Sequence, residues 1–304
     1  MVITSIHNNF IKEICGLKEK KEQALTGLFL VEGKKIIDEV KNDWKIKYIF
    51  ISENFKDNVD LFSSLHHCGI EPQYRADARV CPYPYGNRSI PMTTKEARND
   101  GKKTCNSGRK AGYDAEIITV SDKVIKKLSS AQNPQGIVAV VEKKKFVIDD
   151  ILKNGKNFIV LENISDPGNL GTLIRCADAF DMSAVFISKT SANLYSDKTI
   201  RASMGSIFNV PAIDEIDIDE LFGRLKKANA ATFASSLKAK TSLTKLKLIE
   251  KSAFFIGSEA DGLRKETIVK CDFEFKIDMT GKAQSLNAAI AGAIVMYELQ
   301  KRSL

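Results

Sequence analysis

The sequence predicts an α/β protein whose C-terminal half holds a mainly parallel sheet with helices on both faces. Short apolar runs of strand length recur between residues 157 and 257, and helical segments separate them. This alternation is typical of parallel sheets, because each crossover between parallel strands places a helix on one face. A third observation is the stretch 273–298, whose apolar period changes from that of a strand to that of a helix.

The strands of this half are predicted in order along the chain. They lie at residues 157–163, 184–188, 208–213, 231–236 and 253–257, and a sixth strand begins at Phe273. In the sixth, apolar side chains at positions 273, 275, 277 and 279 alternate with charged ones, which predicts one buried face. Parallel sheets bind ligands beyond the carboxyl ends of their strands, so we expect the functional residues in the loops there.

A helix is predicted after the sixth strand, beyond a polar loop that contains Gly281. Its apolar residues recur at helical spacing and are Leu286, Ile290, Ile294 and Tyr297. Ser285 is predicted as the N-cap residue, and Asn287 as a first-turn residue, where free backbone N–H groups favour a polar or anionic ligand. Because the helix is apolar on nearly every side, we expect it to pack against its own domain and against a second subunit.

The first 145 residues predict a smaller α/β domain, and residues 146–304 form the second domain. In the smaller domain helices are predicted at residues 9–25 and 34–40, and strands at 29–33 and from 47. Ordered structure is expected again from Glu116, and a turn followed by a strand is predicted within residues 133–142. Residues 72–115 hold four of the seven prolines and show little apolar periodicity. We therefore expect this stretch to be a long exposed loop or a flexible insertion.

The charge distribution is uneven between the two halves. The net charge of the chain is +8, and residues 1–145 carry 25 basic against 18 acidic side chains. A basic balance is compatible with nucleic-acid contact, although it is also typical of a well-solvated surface. No apolar run approaches the length that spans a membrane, and the first residues lack the pattern of a signal peptide. We expect a cytoplasmic protein without a membrane partner.

Several chemistries are excluded by residue type. All three histidines precede residue 69, so the C-terminal half has no histidine for a hydrolase triad or a metal site. The six cysteines contain no CxxC pair, and we expect neither a metal nor a disulfide framework. Neither a GxGxxG nor a GxxxxGK[ST] motif follows a strand. Arg, Glu, Asn and Ser side chains remain, and these suit the positioning of two substrates for direct transfer.

Three polar loops at strand ends carry these side chains. The first reads DPGNLGTLIR and contains Asn169, with Arg175 about two turns into the following helix. The second, GSEADG, combines glycines that permit close backbone approach with the carboxylate of Glu259. The third contains Ser285 and Asn287. Each loop alone also has a structural interpretation, since an exposed arginine commonly forms a surface ion pair and Gly-Ser-Glu commonly caps a helix.

Together the three loops resemble a known family. DPGNLGTLIRCADAF, FIGSEADGL and IDMTGKAQSLN are similar, in this order, to the three signature motifs of the SpoU (TrmH-like) branch of the SPOUT RNA methyltransferases. IRASMGSIFNVP is similar to the sequence that the family carries between the first and second motifs, and the resemblance covers residues 157–300. Upstream, FLVEG and NPQGIVAVV resemble the small ribosomal-protein-like RNA-binding domain of members that modify rRNA.

The resemblance implies methylation of a ribose 2′-oxygen in RNA, with S-adenosylmethionine as methyl donor and without a metal. It also implies a C-terminal trefoil knot, which periodicity does not predict, and a homodimer whose paired knots complete each active site. The implied catalytic residues are Arg175, Asn169, Glu259, Ser285 and Asn287, and the implied donor-binding residues are Gly257, Ile277 and Leu286. The RNA partner is expected to be rRNA rather than tRNA because of the extra N-terminal domain.

Two residues depart from the family pattern in the third motif. Asp278 stands where proline is usual, and Gln284 where an acidic residue is frequent. Neither belongs to the implied catalytic set, so they affect expectations of loop geometry and substrate preference rather than of reaction type. A non-catalytic RNA-binding or ribosome-assembly factor on the same scaffold is the alternative interpretation, and an antibiotic-resistance methyltransferase is a further one. The sequence does not specify the target nucleotide.

Overall fold

The computed structural model describes residues 2–41, 43–55, 115–247 and 249–303. Of the insertion expected at residues 72–115, only Ala115 falls within these ranges. Two sheets organise the described part of the chain. One has four strands and lies in the N-terminal part, and the other has six strands and lies in the C-terminal part.

The N-terminal part combines short helices with a mixed sheet. Its elements are α1 (Asn9–Gly16), α2 (Lys20–Thr26), β1 (Leu28–Glu32), α3 (Lys34–Asp38), β2 (Ile46–Ser52), β3 (Glu116–Val120), α4 (Asp122–Leu128) and β4 (Ile137–Glu142). The sheet order is β1-β4-β2-β3, in which only β2 and β3 run parallel. The helical segment predicted at residues 9–25 forms two helices and not one, because the helix ends at Gly16 and a new one begins at Lys20. The buried Gln23 side chain donates to the Leu17 carbonyl at 2.8 Å and so satisfies a backbone acceptor at this break.

The C-terminal part alternates helices and strands. Its elements are α5 (Ile148–Asn154), β5 (Asn157–Leu161), α6 (Pro167–Ala179), β6 (Ala184–Ser188), α7 (Asp197–Ser203), β7 (Ala212–Ile216), α8 (Ile218–Lys227), β8 (Ala231–Ser235), β9 (Ser252–Ile256), α9 (Lys265–Lys270), β10 (Phe273–Phe275) and α10 (Ala288–Ser303). Short 3-10 turns lie at Ser206–Phe208 and Leu243–Lys245. The sheet order is β10-β8-β9-β5-β6-β7, and every pairing is parallel, which confirms the predicted architecture.

Both faces of this sheet are covered by helices, as its continuous apolar strands require. In β5, Ile159 and Leu161 pack in one core with α6, α7 and α10, whereas Phe158 and Val160 pack in a second core with α5 and α8. The chain builds outward from β5 to one side through β6 and β7, and then places β9 on its other side. The carboxyl ends of β5 and β9 therefore flank a topological switch point, where open α/β sheets bind ligands.

Two of the predicted strands differ from the observed ones. The strand expected at 208–213 begins only at Ala212, because Phe208 ends a 3-10 turn and its carbonyl accepts the indole N–H of Trp44 at 3.2 Å. The strand expected from Phe273 to Met279 ends at Phe275. Phe273 is 45% exposed, since β10 is an edge strand that pairs only with β8, and the chain beyond it pairs with the loop at residues 241–243.

An aromatic seam joins the two sheets. Trp44, 3% exposed, contacts Phe208 edge-on at 5.2 Å between ring centroids and Phe29 at 6.1 Å. Phe29 in turn packs against Tyr195 at 4.5 Å. Since Phe29 and Trp44 come from the N-terminal part and Tyr195 and Phe208 from the C-terminal part, one apolar core crosses the boundary between them. The division into domains at residues 145 and 146 and the trefoil knot stay predictions.

No helix in the described ranges combines the length and apolar character needed to cross a bilayer.

Trp44, the one tryptophan in the chain, permits a direct test of the seam. We expect Trp44→Ala to lower the free energy of unfolding by about 3–5 kcal/mol, because it removes a large buried side chain and leaves a cavity between the sheets. Urea unfolding followed by far-UV circular dichroism measures the change. Leu25→Ala is the control, since Leu25 is 71% exposed in the same part of the chain. An equal effect of both substitutions would contradict the shared core.

Candidate active site

Three side chains from separate loops meet at the switch point of the sheet. The Nδ2 group of Asn169 donates to Oε1 of Glu259. The Nδ2 group of Asn287 donates to the same Oε1 at 3.2 Å and to Oδ1 of Asn169 at 3.1 Å. We call these three residues the polar cluster. Its members lie up to 118 positions apart in the sequence, so only the folded chain brings them together.

Asn169 is held by the start of α6. Asp166 is the N-cap residue, and its Oδ1 accepts the backbone N–H of Asn169 at 2.9 Å. Pro167 follows at a position where its fixed backbone angle suits a helix start. The ammonium group of Lys198 on α7 lies 2.6 Å from Oδ2 of Asp166 and, with the backbone N–H of Asn169, holds the pKa of that carboxyl below its ordinary value. A Cβ at Gly168 would lie 2.7 Å from Oδ1 of Asp166, so a larger residue there would displace the capping carboxylate.

Glu259 is presented by a tight turn after β9. The Gly262 N–H donates to the Ser258 carbonyl at 3.0 Å, and Gly262 has a φ of +69°. Within this turn the backbone of Gly257 lies directly against that of Gly262, where an added Cβ would be 2.1 Å from the Gly262 carbonyl carbon. The turn therefore closes only with glycine at position 257.

Asn287 caps α10. Its Oδ1 accepts the backbone N–H groups of Ala289 at 3.0 Å and Ile290 at 3.3 Å. The prediction that Ser285 is the N-cap is wrong, because α10 begins at Ala288, two residues later than that cap would require. Ser285 is exposed, and within the described residues its hydroxyl has no hydrogen-bond partner. The Asn287 side chain therefore caps α10 through its oxygen and donates hydrogen bonds to the other two residues of the polar cluster through its nitrogen.

The electrostatic environment of Glu259 is set by two helix starts. Besides the two asparagine amides, Oε1 of Glu259 accepts the backbone N–H of Ala288 at 3.4 Å. The first turns of α6 and α10 thus both meet at this carboxylate, and their partial positive charge favours an acceptor there. The result is a preorganised arrangement in which each amide group has a fixed orientation before any ligand binds.

Arg175 lies apart from the polar cluster. It is exposed on α6, and six residues at about 1.5 Å rise each place it about 9 Å along the axis from Asn169. Within the described residues its guanidinium makes no hydrogen bond or ion pair. The structure therefore brings together Asn169, Glu259 and Asn287 of the predicted catalytic set, and leaves Arg175 and Ser285 outside their contacts.

The predicted donor-binding residues occupy loop ends around the cluster. Gly257 is buried at the carboxyl end of β9, and Ile277 and Leu286 are half-buried near the two ends of the loop between β10 and α10. Across the described ranges, no group of three or more His, Cys, Asp or Glu side chains could hold a metal ion.

Sequence reasoning missed Glu162, and it noted Asp278 only as a departure from the family pattern. Glu162 follows β5 and is 1% exposed, yet the sequence places it within an apolar strand. Its carboxylate accepts a hydrogen bond from the side chain of Arg264. Asp278, the departure from the family pattern, accepts a hydrogen bond from the Ser242 hydroxyl and so connects the loop before α10 to the loop after β8. A carboxylate at the end of a buried strand was the available signal for Glu162.

The fold and the site together define a two-sheet α/β protein, with a cluster of amide and carboxylate groups on its parallel sheet and a smaller sheet packed beside it. Comparison with known proteins gives the family. Residues 156–297 match the SpoU rRNA Methylase family. Residues 8–73 match the MRM3-like substrate binding domain, and residues 92–147 match the domain described as RNA 2'-O ribose methyltransferase substrate binding.

Individual relatives agree with these matches. The chain is 23% identical to the 23S rRNA (guanosine(2553)-2'-O)-methyltransferase RlmP of Bacillus subtilis, with 98% of each chain covered. It is 32% identical to a TrmH family tRNA/rRNA methyltransferase of Staphylococcus aureus, over 66% of this chain and 84% of the relative. Its fold is similar to the AdoMet-bound rRNA methyltransferase of Sinorhizobium meliloti, with a TM-score of 0.76, 24% identity and coverage of 100% and 98%. The chain therefore belongs to the SpoU/TrmH family of S-adenosylmethionine-dependent RNA 2′-O-ribose methyltransferases.

The cap of α10 is open to a stability test. We expect Asn287→Ala to lower the free energy of unfolding by about 1 kcal/mol, because it leaves the N–H groups of Ala289 and Ile290 without their acceptor. Chemical denaturation measures the effect. Ser285→Ala is the matched control from the same loop and should change stability by less than about 0.5 kcal/mol. A larger loss of stability in Ser285→Ala than in Asn287→Ala would identify Ser285 as the N-cap residue.

Proposed function

We propose that the polar cluster is the reaction centre, and that the chain methylates a ribose of ribosomal RNA as a homodimer. The observation that carries the proposal is the convergence of the Asn169 and Asn287 amides on one carboxylate oxygen of Glu259 at the switch point of the sheet. An arrangement with fixed amide donors around one carboxylate suits the alignment of two substrates for direct transfer.

The donor site is proposed at Gly257, Ile277 and Leu286. Backbone at Gly257 and the half-buried side chains of Ile277 and Leu286 fit a nucleoside, which needs apolar contact for its base and main-chain groups for its polar edge. When bound, S-adenosylmethionine supplies an electrophilic methyl group on a sulfonium. The chain orients the acceptor, since methyl transfer requires the ribose oxygen in line with the methyl carbon.

Arg175 is proposed to act on the acceptor side of the reaction. A guanidinium with a pKa above about 12 is a poor base. It can instead orient the phosphate next to the target ribose or stabilise negative charge that develops on the 2′-oxygen. Proton removal is then shared with that phosphate or with water. Asn169, Glu259, Ser285 and Asn287 fix the ribose and the loops around it.

A second copy of the chain is proposed to supply Arg175. On α10, Ile290 is 53%, Ile294 36% and Tyr297 56% exposed, so one side of this apolar helix is uncovered in the single chain. Tyr297 contacts Phe180 at the end of α6, the helix that carries Arg175. A two-fold interface on α10 would cover this apolar face, and would bring Arg175 of one protomer toward the cluster of its partner.

Three observations support ribosomal RNA as the proposed substrate. One is the full-length similarity to a 23S rRNA methyltransferase. Another is the match of the N-terminal part to substrate-binding domains. The third is the basic excess of residues 1–145, which favours contact with a phosphate backbone. The aromatic seam keeps this part in one orientation relative to the polar cluster.

Complementation between two inactive variants tests the shared site. Arg175→Ala and Glu259→Gln homodimers should both methylate at only a small residual rate, because each lacks one half of every site. A 1:1 mixture refolded together forms mixed dimers with one intact site, and we expect it to recover on the order of a quarter of the wild-type rate. Single-turnover transfer of labelled methyl groups to rRNA measures this. Arg224→Ala is the control, since Arg224 lies on α8, on the opposite face of the sheet, and pairs with Asp149.

If the mixture methylates RNA no faster than its components while both variants remain folded, each protomer uses its own Arg175, and the proposal of a shared site is wrong. Full activity of Arg175→Ala alone would instead exclude a role of this residue in transfer.

Mapping of ribose methylation tests the choice of RNA. We expect a strain that lacks the gene for this protein to lose 2′-O-methylation at a position of rRNA, since the N-terminal part selects the substrate. Sequencing of total RNA from the deletion strain and its parent detects such losses at single-nucleotide resolution. Reintroduction of the wild-type chain, but not of Glu259→Gln, should restore the site. A loss confined to tRNA would contradict the rRNA assignment.

A further inference from the structure

A buried carboxylate lies behind the polar cluster, outside the set that the proposed function uses. Glu162 is 1% exposed, although glutamate is almost never buried unless it is paired. Its Oε1 accepts the Nε–H of Arg264 at 2.6 Å and the hydroxyl of Thr267 at 2.8 Å. Its Oε2 accepts the backbone N–H of Arg264 at 3.0 Å. A buried charge with three donors is costly to disturb, because each donor loses its partner when the carboxylate changes.

These contacts join the two chain segments that lead to the cluster. The backbone N–H of Glu162 extends the pairing of β5 with β9 by donating to the Ile256 carbonyl at 2.9 Å. Seven residues later the chain reaches Asn169, and Arg264 stands five residues after Glu259. The carboxylate therefore anchors the far end of the Gly257–Gly262 turn to the strand that precedes α6.

The turn that presents Glu259 has few other anchors on its C-terminal side. Ala260 and Asp261 are exposed, and Leu263 is the buried residue that follows the turn. Arg264 is the N-cap position of α9 but caps it with no side-chain hydrogen bond. The Glu162 carboxylate, which follows β5, accepts the backbone N–H of this N-cap residue and the hydroxyl of the first-turn residue Thr267.

We propose that Glu162 is a positioning residue for methyl transfer, which acts through Arg264 on the Gly257–Gly262 turn and so holds Glu259 against Asn169 and Asn287. The inference rests on the proposed role of the polar cluster. A displacement of about 1 Å in a reacting group can cost up to about 100-fold in rate. A loosened turn would therefore reduce turnover while the fold is kept.

The test begins with Glu162→Gln, which keeps size and shape but turns one acceptor into a donor that faces Arg264 or Thr267. We expect the single-turnover methylation rate to fall about 10- to 100-fold, with KM for RNA little changed. Hydrogen exchange of the unliganded protein should become faster in residues 257–263. This second readout does not depend on catalysis.

Asp217→Ala is the control. Asp217 caps α8 by accepting the backbone N–H groups of Asp219 at 3.0 Å and Glu220 at 3.3 Å, in the same half of the chain. Alanine removes this acceptor, so the substitution should lower thermal stability without a change in methylation rate or in hydrogen exchange of residues 257–263. If Asp217→Ala slows methylation as much as Glu162→Gln, general destabilisation explains both effects and the proposal is overturned.

A double-mutant cycle separates positioning from a merely structural role. If Glu162 acts through Glu259, the pair Glu162→Gln/Glu259→Gln is no slower than Glu259→Gln alone. Independent, multiplying losses would overturn the proposal. Thr267→Val is the substitute variant if Glu162→Gln does not fold, because it removes one of the three donors to the carboxylate. We expect a smaller loss of methylation rate, and no further loss when Glu259→Gln is also present. A wild-type chain without methylation of any RNA would instead overturn the proposed function.

Discussion

The carboxylate of Glu259 is the point on which the C-terminal part of the structure converges. It accepts donors from the first turns of two helices that leave the sheet at different strands. Because partial positive charge collects at helix starts, one acceptor can stabilise both ends at once. The turn that presents this carboxylate depends on its glycines. A Cβ at position 257 would prevent the turn from closing, and Gly262 has a positive φ.

The parallel sheet and α10 together position the loop that carries Asn287. A switch point between β5 and β9 leaves a crevice at the carboxyl ends of both strands. The long loop from β10 returns across it, and α10 then packs against α6, where a Cβ at Gly292 would lie 2.2 Å from Leu173. The loop is therefore fixed at both ends, by strand pairing before it and by helix packing after it.

The position of the N-terminal part relative to the parallel sheet is fixed by packing. A buried seam that contains Trp44, Phe29, Tyr195 and Phe208 fixes the N-terminal part on the face that α6 and α7 cover. Polar contacts support it, since Gln23 donates to the Tyr195 carbonyl and accepts a hydrogen bond from the Asn193 side chain. An RNA bound by the N-terminal part would meet the polar cluster at a set distance, which is how a separate domain can specify one nucleotide.

The sequence by itself determined the α/β class, nearly all strands of the parallel sheet and the three loops at strand ends, because periodicity and turn residues are local properties. It also determined the family through those loops, which the comparisons confirm. Where local patterns competed with contacts, prediction failed. Phe208 belongs to a turn because Trp44 takes its carbonyl, and Asn287 rather than Ser285 caps α10 because it must also reach Glu259. Only the tertiary structure decided which amides meet, that Glu162 is buried and that Ile290, Ile294 and Tyr297 stay uncovered, since each depends on residues far apart in the chain.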